Sequence, residues 1–345
     1  MERISLADSR LQYVGRIDRS DPEAPALIWA GSYLQLAFKG SVLRITIENH
    51  VCYNGLQIGF ILDGTESQLM LERDSQPHCY EIRAAGNGQH RFILFKRQDS
   101  THWFRLYGLE TDGELCSLPP LPAFKMVCYG DSVTAGSVVE ATDCVGASDP
   151  PVYDSKYDNA WHSYAMQTAR LVGAQVHLVA QGGIALLDNT GYYDNGKYGM
   201  ETAYDKLWYL PYEPMQSWDH SQFQPDLVTV AIGQNDAHRA GTDGNLCGAE
   251  REHWLERYCA FIRDLAEKYP KAEFLLMLTI LMHDDDWEVL LDEACERIGS
   301  PRVKRFRFTR TGKATPGHPR IPEQCEMACE LAEYILNTQH HCITD

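Results

Sequence analysis

The segment MVCYGDSVTAG, residues 126–136, joins a short apolar run to a turn of small and polar residues. A nearly continuous apolar run of this length is typical of a strand buried on both faces, as in a parallel sheet covered by helices. Ligands of such sheets bind beyond the carboxyl ends of the strands. The segment therefore predicts a parallel sheet and makes Ser132 a candidate nucleophile, although the same residues are also common in turns.

The rest of the C-terminal sequence alternates apolar strands with helices. The runs QVHLVA, DLVTVAIG and EFLLMLTIL have the character of buried strands. Helices are predicted near residues 159–172, 249–269, 287–297 and 321–337, and the second of them carries its large apolar residues on one stripe. This alternation predicts a three-layer α/β/α domain with a parallel sheet over residues 124–345.

Residues 1–112 have a different pattern, with short alternating runs such as YLQLAF, SVLRITIEN and HRFILFK. Turn signals, among them Asp63 followed by Gly64, separate these runs, and no helical period is present. We therefore predict an all-β, jelly-roll-like sandwich. Residues 113–123 contain three prolines and are predicted to be a linker.

Composition narrows the range of partners. The formal net charge of -17 disfavours nucleic acid and anionic membrane surfaces and favours a neutral substrate. No run approaches the roughly 18 apolar residues of a membrane span, and the first residues lack the pattern of a secretory signal. The 11 cysteines show no paired spacing, which is typical of reduced thiols, so a cytosolic protein is expected.

Small and polar residues also follow other strands of the predicted sheet. Gly183 comes after HLVA, Asn235 comes after VTVAI, and His318 lies in ATPGHPRIPEQ before the last helix. A hydroxyl, an imidazole and nearby N–H donors are the groups that acyl transfer requires. This pattern predicts Ser132 as nucleophile and His318 as base, with an oxyanion bound by the N–H groups of Ser132 and Gly183 and the amide of Asn235.

The blocks GDSVTAG, QGGIAL, GQND and GHP resemble the four sequence blocks of the SGNH (GDSL-type) hydrolases. The N-terminal runs YVGRID, IWAGSYLQLAFKG and SVLRITIEN are similar to the β-sandwich of the family 2 carbohydrate esterases. The resemblance implies removal of acetyl groups from polysaccharide or oligosaccharide, such as xylan or mannan, through an acetyl-Ser132 intermediate. It also makes Gly182 a neighbouring alternative to Gly183 as oxyanion donor.

One element of the superfamily pattern is absent from its usual place. Members usually carry an aspartate two or three residues before the histidine, and here those positions are Pro316 and Thr315. We expect a main-chain carbonyl near Thr315 to orient the imidazole. The acidic run from Asp284 to Asp286 is an alternative source, but its position before a predicted helix more simply indicates a helix cap.

A segment crowded with Tyr and Trp lies between the second and third blocks. Its rings can form a platform for the apolar faces of sugars, or they can pack into the core. Tyr192, Tyr193, Trp208 and Trp218 are the candidate substrate-binding residues. The scattered Cys and His residues have no recognisable metal-ligand spacing, and no nucleotide-binding motif occurs, so neither a metal nor a cofactor is predicted.

Two other functions are consistent with the sequence. The missing aspartate allows a carbohydrate-binding protein that has lost catalysis, and the same chemistry can act on a lipid or thioester. No long apolar lid helix is evident, which disfavours the lipid substrate.

Overall fold

The computed structural model describes residues 1–52, 57–152, 155–192, 197–209, 214–239, 242–313 and 315–338. An antiparallel β-sandwich precedes a domain in which helices flank a parallel sheet. The predicted fold class is thereby confirmed. Among the described residues, no helix combines the length and the apolar character that crossing a membrane requires.

The sandwich consists of two antiparallel sheets that share an apolar interior. Alternation explains the interior, since Leu43, Ile45 and Ile47 of the run VLRITIENHV point inward between more exposed neighbours. Its strands are β1 (Glu2–Ile4), β2 (Gln12–Val14), β3 (Ile17–Asp18), β4 (Ala26–Leu27), β5 (Tyr33–Lys39), β6 (Val42–Val51), β7 (Gln57–Leu62), β8 (Thr65–Met70), β9 (Pro77–Arg83), β10 (Gln89–Phe95), β11 (His102–Thr111) and β12 (Glu114–Cys116). One sheet runs in the order β3-β4-β11-β6-β9, with β1 beside β11, and the other in the order β12-β5-β10-β7-β8, with β2 beside β5.

The segment 113–123, predicted to be a linker, does not consist of linker alone. The strand β12 lies within it and pairs with β5 in antiparallel register. Leu115 is buried in the sandwich interior, so an apolar residue draws the start of the segment into the sheet. The domain boundaries given above otherwise stay a prediction.

The parallel sheet determines where the site lies. The strands of the C-terminal domain are β13 (Lys125–Gly130), β14 (Gln175–Ala180), β15 (Lys206–Trp208), β16 (Gln216–Ser217), β17 (Leu227–Ala231), β18 (His238–Arg239), β19 (Thr242–Asp243), β20 (Glu273–Met277) and β21 (Val303–Arg305). The sheet order is β14-β13-β17-β20-β21. After β13 the chain forms β14 on one side of β13 and later β17 on its other side. The connections that follow β13 and β17 therefore diverge, and a crevice opens at the carboxyl ends of these two strands.

Helices cover both faces of this sheet, each over its own apolar core. The helices are α1 (Ser132–Ala135), α2 (Tyr164–Leu171), α3 (Met200–Ala203), α4 (Gly248–Lys268), α5 (Asp285–Ile298) and α6 (Ile321–Thr338), and short 3₁₀ turns span Thr142–Cys144, Ala160–His162, His220–Gln222 and Gln234–Ala237. The helix α4 buries Trp254, Tyr258 and Phe261 on one stripe, as its periodicity predicts.

Some apolar residues of the sandwich pack into the cores of the α/β domain. Trp29 of the sandwich stacks on Tyr209 with 4.9 Å between ring centroids, and its indole N–H donates to the carbonyl oxygen of Leu207 at 3.1 Å. Trp103 meets Trp208 edge to face at 4.8 Å. Burial of these rings between the domains holds the sandwich rigidly against the α/β domain.

An ion-pair network adds polar contacts at the same junction. Glu66 of the sandwich lies 2.9 Å from Nε2 of His162 and accepts from Nδ2 of Asn159 at 2.9 Å. Asn159 also donates to Glu140 at 2.7 Å, and Arg97 pairs with Glu140 at 2.5 Å. Although Glu66, Glu140 and His162 are close enough to hold a metal ion, Asn159 and Arg97 already engage the two carboxylates, so the cluster joins the domains as it stands.

Candidate active site

Ser132 and His318 lie within hydrogen-bonding distance of each other. Ser132 follows β13 and begins α1, so the strand delivers its hydroxyl to the edge of the sheet. The Oγ of Ser132 lies 2.8 Å from Nε2 of His318, which precedes α6. An alcohol that donates to an imidazole at this distance can lose its proton as it attacks a carbonyl carbon. The structure thus brings the predicted nucleophile and the predicted base together.

A carboxylate orients the imidazole, and the expected main-chain carbonyl near Thr315 does not. Nδ1 of His318 lies 2.6 Å from Oδ2 of Asp149, and the main-chain N–H of His318 donates to Oδ1 of the same carboxylate at 2.9 Å. The fully buried Arg320 pairs with Asp149 at 2.9 Å. Burial alone raises the pKa of Asp149, but hydrogen bonds from His318 and the charges of His318 and Arg320 lower it to about 2. The carboxylate is therefore ionised at neutral pH.

The acidic run that was the alternative source lies at the start of a helix. Asp284 is the N-cap residue of α5, and Asp285 and Asp286 lie in its first turn, where negative charge is favourable. Asp285 pairs with Lys313 at 3.2 Å, and Asp286 accepts from Asn245 at 3.2 Å. The acidic run thus lies at the N-terminus of a helix, as predicted, although the side chain of Asp284 makes no capping hydrogen bond. The carboxylate on the imidazole comes from a different loop.

Gly317 explains how a remote loop reaches the imidazole. A Cβ at residue 317 would lie 2.7 Å from the carbonyl oxygen of Ala147 and 2.7 Å from both N and Oδ1 of Asp149. Any side chain at this position would therefore push the loop away from His318. The glycine of the GHP block makes room for Asp149, whose distance along the chain concealed it from sequence analysis.

The predicted oxyanion donors Ser132, Gly183 and Asn235 line a single cavity. Asn235 lies in the 3₁₀ turn after β17, and its Nδ2 donates one hydrogen to the carbonyl oxygen of Ile184 at 2.9 Å. This bond fixes the amide and leaves its second hydrogen available. Gly183 has a φ of +74°, the value of the third residue of a type II turn.

Between the two neighbouring glycines, the geometry favours Gly183 as the donor. The N–H of Gly182 donates to Oδ2 of Asp99 at 3.0 Å, so it is already engaged. For the N–H of Gly183, no acceptor is found among the residues that the structure describes. The Gly183 N–H is thus the one that can meet a developing oxyanion.

Two buried aspartates that sequence analysis did not single out tie the strand ends together. Oδ2 of Asp131 accepts from Nε2 of Gln234 at 2.8 Å, which joins the ends of β13 and β17. Asp236 accepts from the N–H groups of Leu186 and Leu187 at 2.8 and 3.0 Å. Burial raises the pKa of each aspartate to about 6. Acidic residues shortly after largely apolar strands were the available signal for this role.

The cavity beside Ser132 has a volume of about 560 Å³. Tyr192 lies on its wall, stacked on His238 with 4.0 Å between ring centroids and an interplanar angle of 7°, and is 62% exposed. Met282, 61% exposed, lies on another part of the wall. Tyr193 lies outside the described residues. Tyr192 therefore presents a flat ring to the cavity, as a sugar platform requires.

Trp208 and Trp218 do not line the cavity, and naming them as substrate-binding residues was wrong. They are only 6% and 7% exposed and belong to the apolar core under the sheet. Trp208 donates to Asp18 at 2.9 Å and packs on Trp103, while Trp218 meets His177 edge to face. Both rings pack against the sandwich and the sheet. Packing into the core was the other role considered for this aromatic segment.

Comparison with known proteins agrees with this geometry. Residues 13–120 match the family described as carbohydrate esterase 2 N-terminal, and residues 128–298 match the GDSL-like lipase/acylhydrolase family. The chain is a GDSL-type hydrolase that resembles the family 2 carbohydrate esterases. The predicted resemblance is thereby confirmed on both domains.

Similar proteins match this GDSL-type hydrolase over most of its length. An acetylxylan esterase/glucomannan deacetylase of Cellvibrio japonicus is 29% identical over 341 residues, which are 95% of this chain and 88% of that protein. The structure of a family two carbohydrate esterase from Cellvibrio japonicus matches with a TM-score of 0.82, 26% identity and coverage of 97% of both chains. The structure of a family two carbohydrate esterase from Clostridium thermocellum, in complex with cellohexaose, matches with a TM-score of 0.78, 26% identity and coverage of 96% of this chain and 99% of that chain.

Proposed function

We propose that this hydrolase is a serine esterase that removes O-acetyl groups from plant-type polysaccharide or oligosaccharide, such as xylan or mannan. The observation that carries the proposal is the hydrogen-bonded series Ser132, His318 and Asp149 on the wall of a cavity that also contains Asn235 and Gly183. The relatives named as an acetylxylan esterase and as family two carbohydrate esterases support the substrate class.

The reaction follows from these contacts. His318 accepts the proton of Ser132 through Nε2 while Oγ bonds to the acetyl carbon, and the carbonyl oxygen gains negative charge. Gly183, Asn235 and the N–H of Ser132 stabilise that charge. The imidazolium then gives its proton to the ester oxygen of the sugar as the bond from that oxygen to the acetyl carbon breaks. The sugar departs with a free hydroxyl, and Ser132 carries the acetyl group. Water, deprotonated by His318, attacks the acetyl carbon, and acetate departs as Ser132 regains its proton.

Asp149 makes each proton transfer easier without itself taking up a proton. Its carboxylate, kept ionised by a pKa of about 2, accepts from Nδ1 of His318 and leaves Nε2 free to act as base. It then stabilises the imidazolium that forms. Because this carboxylate is present, the missing aspartate no longer favours a binding protein without catalysis.

A comparison of substrates tests the proposal. Purified protein is incubated with acetylated xylo- and manno-oligosaccharides and, in parallel, with nitrophenyl esters of acetate and of a long fatty acid. We expect acetate release from the oligosaccharides and preference for the acetyl over the long-chain ester. Sugar binding without acetate release would reject the esterase in favour of a binding module, and faster cleavage of the long-chain ester would point to a lipid substrate.

Tyr192 is expected to bind the sugar rather than to assist the chemistry. Replacing Tyr192 by alanine should raise KM for an acetylated oligosaccharide up to about tenfold, because a ring contact contributes on the order of 1 kcal/mol. Turnover of nitrophenyl acetate, which has no sugar, should stay within about twofold. Tyr107, an exposed tyrosine on β11 of the sandwich, gives the control Tyr107→Ala. Equal losses on both substrates would exclude a platform role for Tyr192.

The cytosolic location stays a prediction from the cysteine pattern. The cysteines of the described residues are free thiols, and Cys325 and Cys329 are exposed one turn apart on α6. Cell fractionation, with the protein in the soluble cytosolic fraction as the expected result, tests this prediction.

A further inference from the structure

The loop 96–101 of the sandwich contacts the turn that carries the candidate oxyanion donor Gly183. Asp99, in the connection between β10 and β11, accepts through Oδ2 from the N–H of Gly182 at 3.0 Å and from Nε2 of Gln181 at 2.6 Å. Ser100 donates to Oε1 of Gln181 at 2.8 Å. The N-terminal domain therefore binds both the main chain and the side chain of the QGG block.

This contact restrains a turn whose two central glycines allow more than one conformation. The N–H of Ile184 donates to the carbonyl oxygen of Gln181 at 3.3 Å, which closes a turn with Gly182 and Gly183 at its centre. Turns with two central glycines can exchange type I for type II geometry by rotating the central peptide, because neither residue has a Cβ. That rotation would turn the Gly183 N–H away from its present direction.

Asp99 also leaves little space for a side chain at residue 182. A Cβ at this position would lie 2.9 Å from Oδ2 of Asp99. The carboxylate thus occupies the space of the missing side chain and accepts the N–H that precedes the central peptide.

The carboxylate is itself held in place. Oδ1 of Asp99 accepts from the N–H and the hydroxyl of Thr101 at 3.0 and 2.6 Å. The fully buried Lys96 donates from Nζ to the carbonyl oxygens of Gln98 and Asp99. Oε1 of Gln181 accepts a further hydrogen bond, from Tyr209, at 2.7 Å. The loop is therefore a rigid support for the turn.

We propose that Asp99 of the sandwich is a positioning residue for the oxyanion hole and holds the central peptide of the turn so that Gly183 can donate to the acetyl oxygen. This role rests on the proposed esterase function. It gives the sandwich a part in catalysis at a distance from the substrate, since the cavity is lined by Gly183 and not by Asp99.

The test replaces Asp99 by asparagine, which keeps the shape of the side chain. Asparagine has one oxygen and one NH₂ group where the aspartate has two acceptors, so it cannot serve both the donors of Thr101 and those of the turn. The matched control is Asp112→Asn, because Asp112 accepts from the N–H and hydroxyl of Ser41 and from the N–H of Val42 entirely within the sandwich.

Both variants are compared with wild type by kcat and KM for an acetylated xylo-oligosaccharide, per mole of folded protein. Binding of deacetylated xylotriose and inhibition by methylboronic acid are measured as well. The boron atom bonds to Oγ of Ser132 and forms a tetrahedral anion, which requires the oxyanion donors, whereas the neutral sugar does not.

We expect Asp99→Asn to lower kcat by about 10- to 100-fold and to weaken inhibition by methylboronic acid in proportion. KM and xylotriose binding should change less than about twofold. Asp112→Asn should match wild type.

The proposal is overturned if folded Asp99→Asn retains wild-type kcat and boronate inhibition, or if it loses sugar binding and boronate inhibition equally. If Asp99→Asn does not fold, Ser100→Ala decides the question. This variant removes one hydrogen bond from Gln181, and it should lower kcat by about two- to fivefold at unchanged KM. Unchanged kcat would reject the role of the loop. Absence of acetate release by wild type would instead refute the esterase function itself, and the positioning role with it.

Discussion

Replacement of Ser132 by alanine is expected to slow acetate release by about 10⁴- to 10⁶-fold. The alanine removes the Oγ that lies 2.8 Å from Nε2 of His318 and that would form the acetyl-enzyme, so no covalent route remains. Binding of the oligosaccharide should change little, because the cavity wall is preserved. Rates of acetate release and titration with an unacetylated oligosaccharide measure the two effects separately.

Ser137→Ala is the matched control for this variant. Ser137 is also a buried serine on the segment after β13, and its main-chain N–H donates to the carbonyl oxygen of Ser132 at 2.9 Å. Loss of its hydroxyl should leave kcat within about threefold of wild type. The assignment of Ser132 as nucleophile would be rejected if Ser132→Ala retained a tenth of the activity while Ser137→Ala lost most of it.

Replacement of Asp149 by asparagine is expected to lower kcat by about 10³-fold with little change in KM. The asparagine can present an NH₂ group to Nδ1 of His318, which favours the tautomer whose proton lies on Nε2 and cannot accept from Ser132. It also leaves the buried Arg320 without its carboxylate partner. Steady-state kinetics measure kcat and KM of the variant and of wild type.

Asp284→Asn is the control, because Asp284 lines the same cavity and only occupies the N-cap position of α5. It should retain kcat within about threefold of wild type. The opposite order, with Asp284→Asn strongly impaired and Asp149→Asn active, would contradict the site described here.

Because folding lowers the pKa of Asp149 to about 2, from 3.8, its contribution to the free energy of unfolding is present above the unfolded value. That contribution should disappear as pH falls from about 4 toward 2.

The alternation of strands and helices was sufficient to predict the fold class and the place of the site. Apolar strands followed by small polar residues locate the crevice at the ends of β13 and β17, where Ser132 and Asn235 lie. These inferences depend on local periodicity and on a topological rule, both of which are present in a single sequence. The positions of Gly183 and His318 follow from the same rule and from the order of the blocks.

The carboxylate that orients His318 could not be predicted from local periodicity or from the order of the blocks. Asp149 precedes two prolines in a loop, 169 residues before His318, and nothing in the spacing connects the two. The contact depends on how a loop folds over Gly317, which is tertiary packing. Arg320, two residues after His318, was the nearest hint of a buried anion, but a lone arginine before a helix is ordinary.

The aromatic residues show a related limit of sequence analysis. Tyr192 and Trp208 occur in the same aromatic segment, yet one is 62% exposed on the cavity and the other 6% exposed in the core. A ring that packs and a ring that binds sugar have the same composition, and only the surrounding structure separates them. Asp99 was not recognised for the same reason, since its partners Gln181 and Gly182 belong to the other domain.

Direct detection of the acyl group tests whether Ser132 is the nucleophile. The wild-type protein is mixed with excess nitrophenyl acetate, quenched in acid within the first turnovers, digested and analysed by mass spectrometry, with Ser132→Ala treated in parallel. We expect a burst of nitrophenol and one acetyl group on the peptide that contains Ser132, with neither signal in the variant. An acetyl group on another residue, or full hydrolysis by Ser132→Ala without a covalent adduct, would contradict the assignment of Ser132 as nucleophile.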